Sequence, residues 1–152
     1  MSYYKVLGFE KEPFSTSPDP AFFYLSKEHE TALTNILIEI RLKRGLSVIL
    51  GDVGTGKTTL SRKLIQELKE REDFIFHIIL DPSFENERLF LTSLARNFEI
   101  NNIGTEPAIL DLREALQRFL FQKGVTEGKT VTIIIDEAQK LGSGSIEVLR
   151  TL

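Results

Sequence analysis

Hydrophobic positions recur along most of the chain with the spacing of helices and of buried strands. After Ser26, apolar residues three and four positions apart predict an amphipathic helix: Ala32, Leu33, Ile36, Leu37 and Ile40. Its first turn contains the acids Glu28 and Glu30, its last turn is basic, and Gly45 follows. These signals agree with the helix dipole and predict a helix that is capped by Ser26 and stopped by Gly45.

Three short apolar runs alternate with further helical patterns. The run Leu46–Leu50 ends at a glycine-rich turn, and Phe74–Leu80 and Val131–Ile135 are apolar nearly throughout, as strands covered on both faces should be. Helical spacing appears on four other faces, which contain Leu60 and Leu64, Leu89 and Leu94, Leu112 and Leu116, and the stretch Ile146–Leu152. This alternation predicts a three-layer α/β fold with a mainly parallel sheet.

The first 25 residues break the pattern. Prolines at positions 13, 18 and 20 discourage regular structure, and aromatic residues are frequent: Phe9, Phe14, Phe22, Phe23 and Tyr24. Disordered tails are poor in aromatics. We therefore expect an extended arm over residues 1–25 whose aromatics dock on a core domain that spans residues 26–152.

Composition and charge narrow the possible functions. A chain of 152 residues fits one domain, and its lack of cysteine excludes disulfides, thiolate catalysis and cysteine-ligated zinc. The net charge of −3 gives no electrostatic reason to expect nucleic acid or an anionic membrane as the main partner. No signal peptide and no apolar stretch of membrane-spanning length is evident. We expect a cytoplasmic protein, or the cytoplasmic piece of something larger.

One motif carries specific chemistry. The sequence Gly51-Asp52-Val53-Gly54-Thr55-Gly56-Lys57-Thr58 fits the phosphate-binding loop, or P-loop, pattern G-x-x-x-x-G-K-[ST]. Glycines allow successive amides to converge on an anion, and the helix that begins at Lys57 directs its positive end to the same place. The predicted nucleotide contacts are Gly51, Asp52, Val53, Gly54, Thr55, Gly56, Lys57, Thr58 and Thr59. Lys57 would stabilise phosphate charge during catalysis, and the Thr58 hydroxyl would bind Mg²⁺.

A second pair of polar residues follows the last apolar run. We expect Asp136 to bind Mg²⁺ and Glu137 to orient and help deprotonate the attacking water as a catalytic residue. Asp81 also follows an apolar run, but Pro82 comes next, which favours a turn or capping role over metal binding.

Three other polar residues are candidates for lesser roles. Gln139 could sense the γ-phosphate or be an ordinary exposed amide. His77 lies inside an apolar run, which favours a packed residue over a catalytic base. His29 has no partner histidine nearby, which argues against a metal role.

Near the amino terminus the residues resemble a known family. The elements Gly8-Phe9, Pro13-Phe14, Pro18-Asp19-Pro20, Leu25-Ser26 and His29 are similar to the opening signature of the ExeA/GspA-like ATPases, which belong to the AAA superfamily and are linked to general secretion. The similarity continues through the P-loop and into Ile135–Gln139, so it covers nearly the whole chain.

The resemblance implies ATP as nucleotide, Mg²⁺ as cofactor, a homo-oligomer as the working state, a secretion-machinery or membrane partner, and an arm near Tyr24–Ser26 that lies close to the adenine. Family members continue with a sensor strand, an arginine finger and a helical lid. We therefore expect these 152 residues to be part of a longer protein. The function we expect from the resemblance is Mg²⁺-dependent ATP hydrolysis that energises secretion or envelope assembly. Related ATPases bind DNA to regulate transposition, so an ATP-dependent, DNA-associated regulator is one alternative. A nucleotide-binding module without appreciable hydrolysis is another.

Overall fold

The structure, a computed structural model, describes residues 2–13, 22–101 and 103–152 of the chain. These residues divide into two compact units, Met1–Glu67 and Leu68–Leu152. The first unit contains the P-loop, and the second contains the paired strands.

The first unit is mainly helical. Its helices are α1 (Tyr3–Val6), α2 (Lys27–Arg41) and α3 (Lys57–Lys69), the last of which runs two residues into the second unit. Ser26 caps α2 as the sequence predicts, because its hydroxyl accepts a hydrogen bond from the backbone amide of His29 at 3.3 Å. Along α3, Leu60, Leu64 and Leu68 recur every four residues and are all buried.

Helix α2 ends earlier than Gly45, which corrects the sequence prediction. Its last helical residue is Arg41, and Lys43 takes the left-handed conformation with φ of 54°. The amides of Lys43 and Arg44 donate to the carbonyls of Ile40 and Glu39, each at 3.0 Å. This is the Schellman arrangement, and it satisfies carbonyls at the helix end without a glycine at the left-handed position.

The expected strand over residues 46–50 is not formed. No residue among those described pairs with this run in a strand ladder, and Leu46, Val48 and Leu50 are exposed, Leu50 at 89% and Leu46 at 79%. A strand needs a partner for its backbone hydrogen bonds, and apolar composition alone does not supply one. The run therefore leads into the P-loop as an irregular segment.

The second unit contains two parallel strands, β1 (Phe74–Ile79) and β2 (Thr130–Ile135). Their register runs from Phe74 opposite Thr130 to Ile79 opposite Ile135. The connecting helices are α4 (Glu87–Asn97) and α5 (Ile109–Phe121), and a π-helical turn spans Gln122–Thr126. A parallel pair with a helical crossover confirms the predicted α/β class.

One hydrophobic core holds the second unit together. Its buried members come from β1, from α4 and the residue after it, from α5, and from the last helix, α6 (Ser143–Thr151): Ile79, Phe90, Leu91, Leu94, Ala95, Phe98, Leu112, Leu116 and Val148. The ring of Phe98 stacks on Phe119 at a centroid distance of 5.0 Å. The apolar face predicted on α5 therefore packs, with Leu112 and Leu116 buried, whereas on α4 Leu94 is buried but Leu89 is 40% exposed.

Two chain segments differ from their sequence predictions. The helix predicted over Ile146–Leu152 begins earlier, since α6 starts at Ser143. The arm over residues 1–25, which was expected to be extended, includes the helical turn α1. The prolines that argue against a helix all lie after this turn, so they do not prevent it from forming. Of the arm's aromatics, Phe23 packs on His29, whereas Tyr24 is 84% exposed. Phe14, Pro18 and Pro20 lie outside the described residues.

Candidate functional site

The P-loop residues form a compact turn that leads directly into α3. Gly54 and Gly56 have φ of 82° and 88°, in the left-handed region that favours glycine. The carbonyl of Gly56 accepts the first helical hydrogen bond of α3, from Leu60 at 2.8 Å. The opening amides of a helix have no carbonyl one turn earlier to bond to, so they form a site for an anion.

The Lys57 side chain folds back across this turn. Its ammonium donates hydrogen bonds to the carbonyl oxygens of Gly51 and Asp52, both at 2.7 Å. The flexible lysine stem thus places a positive charge over the loop, at the end of the helix that is itself positive.

Close contacts inside the turn explain two of its glycines. The Thr55 hydroxyl donates to the carbonyl of Asp52 at 2.8 Å, and a Cβ atom on Gly51 would lie only 2.8 Å from that hydroxyl oxygen. A Cβ atom on Gly56 would lie 3.2 Å from a ring carbon of Phe23. A side chain at Gly51 would therefore overlap the Thr55 hydroxyl, and one at Gly56 would crowd Phe23 in addition to straining the positive φ.

His29 contacts the P-loop directly, which sequence reasoning missed. Its Nε2 lies 2.7 Å from the carbonyl oxygen of Thr55, and its Nδ1 lies 2.9 Å from the hydroxyl of Ser26. That hydroxyl is also 2.8 Å from the carboxylate of Glu28. Hydrogen bonds from its own backbone amide and from Ser26 lower the pKa of Glu28. The sequence signal was the position of His29 three residues after the helix cap, but no pattern relates that position to the P-loop.

Asp136 and Glu137 lie in the second unit, at the carboxyl end of β2. The amide of Asp136 donates to the carbonyl of Ile79 at 2.9 Å, which continues the ladder one residue beyond β2. The Asp136 carboxylate accepts the amide of Glu137 at 3.0 Å. Glu137 is exposed and has φ of 53°, so the chain turns sharply where the strand ends.

Gln139 and Asp81 have partners near this turn. The side-chain amide of Gln139 donates to the Glu137 carboxylate. Asp81 accepts both the amide and the hydroxyl of Ser83, at 3.3 and 2.6 Å, and lies 3.4 Å from the Lys140 ammonium. The bond from the Ser83 hydroxyl is the largest cause of the lowered pKa of Asp81. The turn role predicted for Asp81 is therefore confirmed.

His77 is a packing residue, as its position in an apolar run predicts. It lies in β1, its ring meets the edge of Phe98 at a centroid distance of 6.1 Å, and burial lowers its pKa. Desolvation disfavours the charged imidazolium, so His77 is held in its neutral form more strongly than in water.

A profile of the family described as AAA domain matches residues 40–152, which include the P-loop and the Asp136-Glu137 pair. The chain belongs to the AAA domain family. This membership confirms the AAA-type P-loop core that the sequence predicts. The chain is also 35% identical, over 150 residues, to general secretion pathway protein A of Aeromonas hydrophila, which agrees with the ExeA/GspA-like resemblance.

The two sequences differ greatly in length. The matched region is 99% of this chain but 26% of the Aeromonas protein. No solved structure matches this AAA domain. Within the described parts of the chain, every helix is too short or too polar to cross a bilayer.

Proposed function

We propose that this AAA domain binds ATP through the Gly51–Thr58 loop and hydrolyses it with the help of Mg²⁺. The observation that carries the proposal is the loop itself: two glycines with positive φ, a helix that begins at Lys57, and an ammonium held across the turn. Together these features supply amide donors, a positive helix end and a mobile cation for a triphosphate.

The loop would bind the phosphates with two kinds of group, backbone amides and the Lys57 ammonium. Backbone amides of Gly54 to Thr59 would contact phosphate oxygens, and Lys57 would exchange its bonds to the Gly51 and Asp52 carbonyls for bonds to phosphate. Carbonyl oxygens are neutral acceptors, whereas phosphate is anionic, so the exchange favours the nucleotide complex. ADP would bind by the same contacts.

Oxygen-bearing side chains suited to Mg²⁺ are present in the predicted site. Thr58 would be a protein ligand of the ion through its hydroxyl oxygen, and Asp136 is a second candidate ligand because Mg²⁺ also prefers carboxylate oxygens. Among the described residues no three acids, histidines or cysteines cluster as a metal site. Mg²⁺ does not require one, because it usually keeps several waters and is bound by one or two carboxylates and substrate phosphates. When bound, the ion would neutralise charge that develops on the phosphates.

Glu137 would act on the attacking water. Its side chain is exposed, and its carboxylate is anchored by Gln139 rather than by a cation. A carboxylate in this state can accept a proton from water and orient it for in-line attack. The left-handed backbone at Glu137 costs about 1–2 kcal/mol, and such strain often occurs at functional positions.

The similarity to general secretion pathway protein A supports a role in secretion. Membership of the AAA domain family supports a homo-oligomer as the working state. A cytoplasmic location would give the domain access to ATP. The acidic balance of the chain, with a net charge of −3, favours this role over a DNA-associated one.

Calorimetric titration with ATP and Mg²⁺ tests the proposal. Lys57→Ala should weaken binding by about tenfold or more, because a charge-assisted contact is lost. Lys69→Ala, at the other end of α3, is the matched control and should bind as the unaltered chain does. Equal binding by Lys57→Ala and Lys69→Ala would remove the assignment of the loop.

A further inference from the structure

We propose that His29 is a positioning residue for the P-loop, which sets the orientation of the Thr55–Gly56 peptide and thereby the affinity for the nucleotide. The inference deepens the proposed function and rests on it. All the groups involved lie in the first unit, Met1–Glu67.

The proton positions of this contact follow from its partners. A carbonyl oxygen can only accept, so the Nε2 of His29 must donate its proton to Thr55 across the 2.7 Å contact. In the neutral ring Nδ1 is then an acceptor, and the Ser26 hydroxyl can donate to it at 2.9 Å. In the imidazolium, Nδ1 instead donates a hydrogen bond to the Ser26 hydroxyl oxygen. That hydroxyl then donates its own hydrogen bond to the Glu28 carboxylate at 2.8 Å. The bond to Thr55 is therefore made in both protonation states.

The ring is also fixed by packing. Phe23 meets it edge to face, with the centroids 4.8 Å apart. A Cβ on Gly56 would lie 3.2 Å from Phe23 and 3.5 Å from the His29 Nε2, so the ring pair lies directly against the loop backbone. Bonded at both nitrogens and packed on one edge, His29 has little freedom to move away from Thr55.

Peptide geometry transmits this contact into the loop. In a planar trans peptide, the N–H of one residue points opposite to the C=O of the residue before it. When His29 fixes the carbonyl of Thr55, it also fixes the amide of Gly56, which must then point away from His29. Gly56 supplies the amide of this peptide and has a positive φ, and glycine allows a peptide to turn over at little steric cost. The histidine bond opposes that rotation.

Two substitutions at one position separate donation from packing. His29→Phe keeps a ring against Phe23 but removes the donor, whereas His29→Gln places an amide donor near the position of Nε2. The same exchange of histidine for phenylalanine at His77, in β1 of the second unit, is the control. Affinities for ATP with Mg²⁺ are measured by calorimetry, and backbone amide exchange of residues 54–57 is measured without nucleotide.

We expect His29→Phe to weaken ATP binding by about fivefold to tenfold and to speed amide exchange in the loop. His29→Gln should lie within about twofold of the unaltered chain, and His77→Phe should not differ from it. Unchanged affinity and exchange in His29→Phe would overturn the inference, and so would a His29→Gln variant as weak as His29→Phe.

The two proposals fail in different ways. If the unaltered chain binds no nucleotide, the proposed function and the claim about affinity both fall, while amide exchange still decides whether His29 orders the loop. If Lys57→Ala abolishes binding but His29→Phe binds normally, only the role of His29 is refuted.

Discussion

The side-chain amide of Gln139 donates a hydrogen bond to the carboxylate of Glu137, two residues before it. Glu137 begins a short 3₁₀ turn, Ala138–Lys140, in which its own carbonyl accepts the amide of Lys140 at 2.9 Å. The turn therefore brings the Gln139 side chain back to the side chain of Glu137, just after the end of β2. The bond fixes the orientation of a carboxylate that is otherwise exposed.

Replacing Gln139 with alanine should lower the rate of ATP hydrolysis by about fivefold. The variant loses one hydrogen bond to an ionised group at an exposed position, a contribution of about 1 kcal/mol to the placement of Glu137. Affinity for ATP should not change, because Gln139 is not among the proposed phosphate contacts. Single-turnover hydrolysis and calorimetry on the same preparations measure the two effects. A loss of affinity with an unchanged rate would assign Gln139 to the γ-phosphate instead.

Glu137→Gln should reduce hydrolysis by about 10²–10³ and leave ATP binding intact, since the amide cannot take a proton from water. Glu99→Gln is the matched control, because Glu99 is also exposed and also left-handed, with φ of 54°. The control removes the same charge from a similar backbone position. Equal rates for Glu137→Gln and Glu99→Gln would mean that Glu137 has no catalytic role, whereas no measurable hydrolysis by the unaltered chain would make the domain a nucleotide-binding module.

Local signals in the sequence predicted much of the fold. Ser26 precedes an apolar helical period and caps α2, and the continuous apolar runs around His77 and Ile133 form the parallel pair. The turn at Asp81 was predictable because Pro82 follows it. In each case the chemistry that decides the structure lies within a few residues of the position concerned.

Features that depend on distant partners were not predictable. The run at Leu46–Leu50 has strand composition, but strand formation is decided by a pairing partner that the run itself does not encode. The bond from His29 to Thr55 joins residues 26 positions apart, and no periodicity relates them. Lys43 and Glu99 follow their helices in the left-handed conformation, which favours glycine, because the Schellman hydrogen bonds outweigh that preference.

Glu99→Gly should stabilise the chain by about 0.5–1 kcal/mol. Glu99 follows α4 in the left-handed conformation, and the amides of Glu99 and Ile100 donate to Arg96 and Ala95, each at 2.9 Å. Glycine would remove about 1–2 kcal/mol of steric strain and cost about 0.5–1 kcal/mol in conformational entropy. Urea unfolding measures the change. Lys43→Gly, at the equivalent position after α2, should behave alike, and destabilisation of both variants would contradict the account of these helix ends.

Acidification from pH 7.5 to pH 5.5 should lower the stability of the second unit through His77. Burial lowers the pKa of His77 below its ordinary value of 6.5, so near and below pH 6.5 the unfolded chain binds more protons than the folded chain. The contribution of neutral His77 to the free energy of unfolding is therefore fully present above the pKa that His77 has in the unfolded chain. It declines as the pH falls through that pKa, until His77 in the folded chain is protonated as well. His77→Phe removes the titrating group and keeps a ring beside Phe98, 6.1 Å away in the unaltered chain.

The denaturation midpoint of His77→Phe should fall less between pH 7.5 and pH 5.5 than that of the unaltered chain. Parallel pH profiles for the two proteins would show that His77 is not the cause. The carboxylates with lowered pKa, such as Asp81 and Glu147, lose their contribution only at more acid pH, so they do not obscure the comparison.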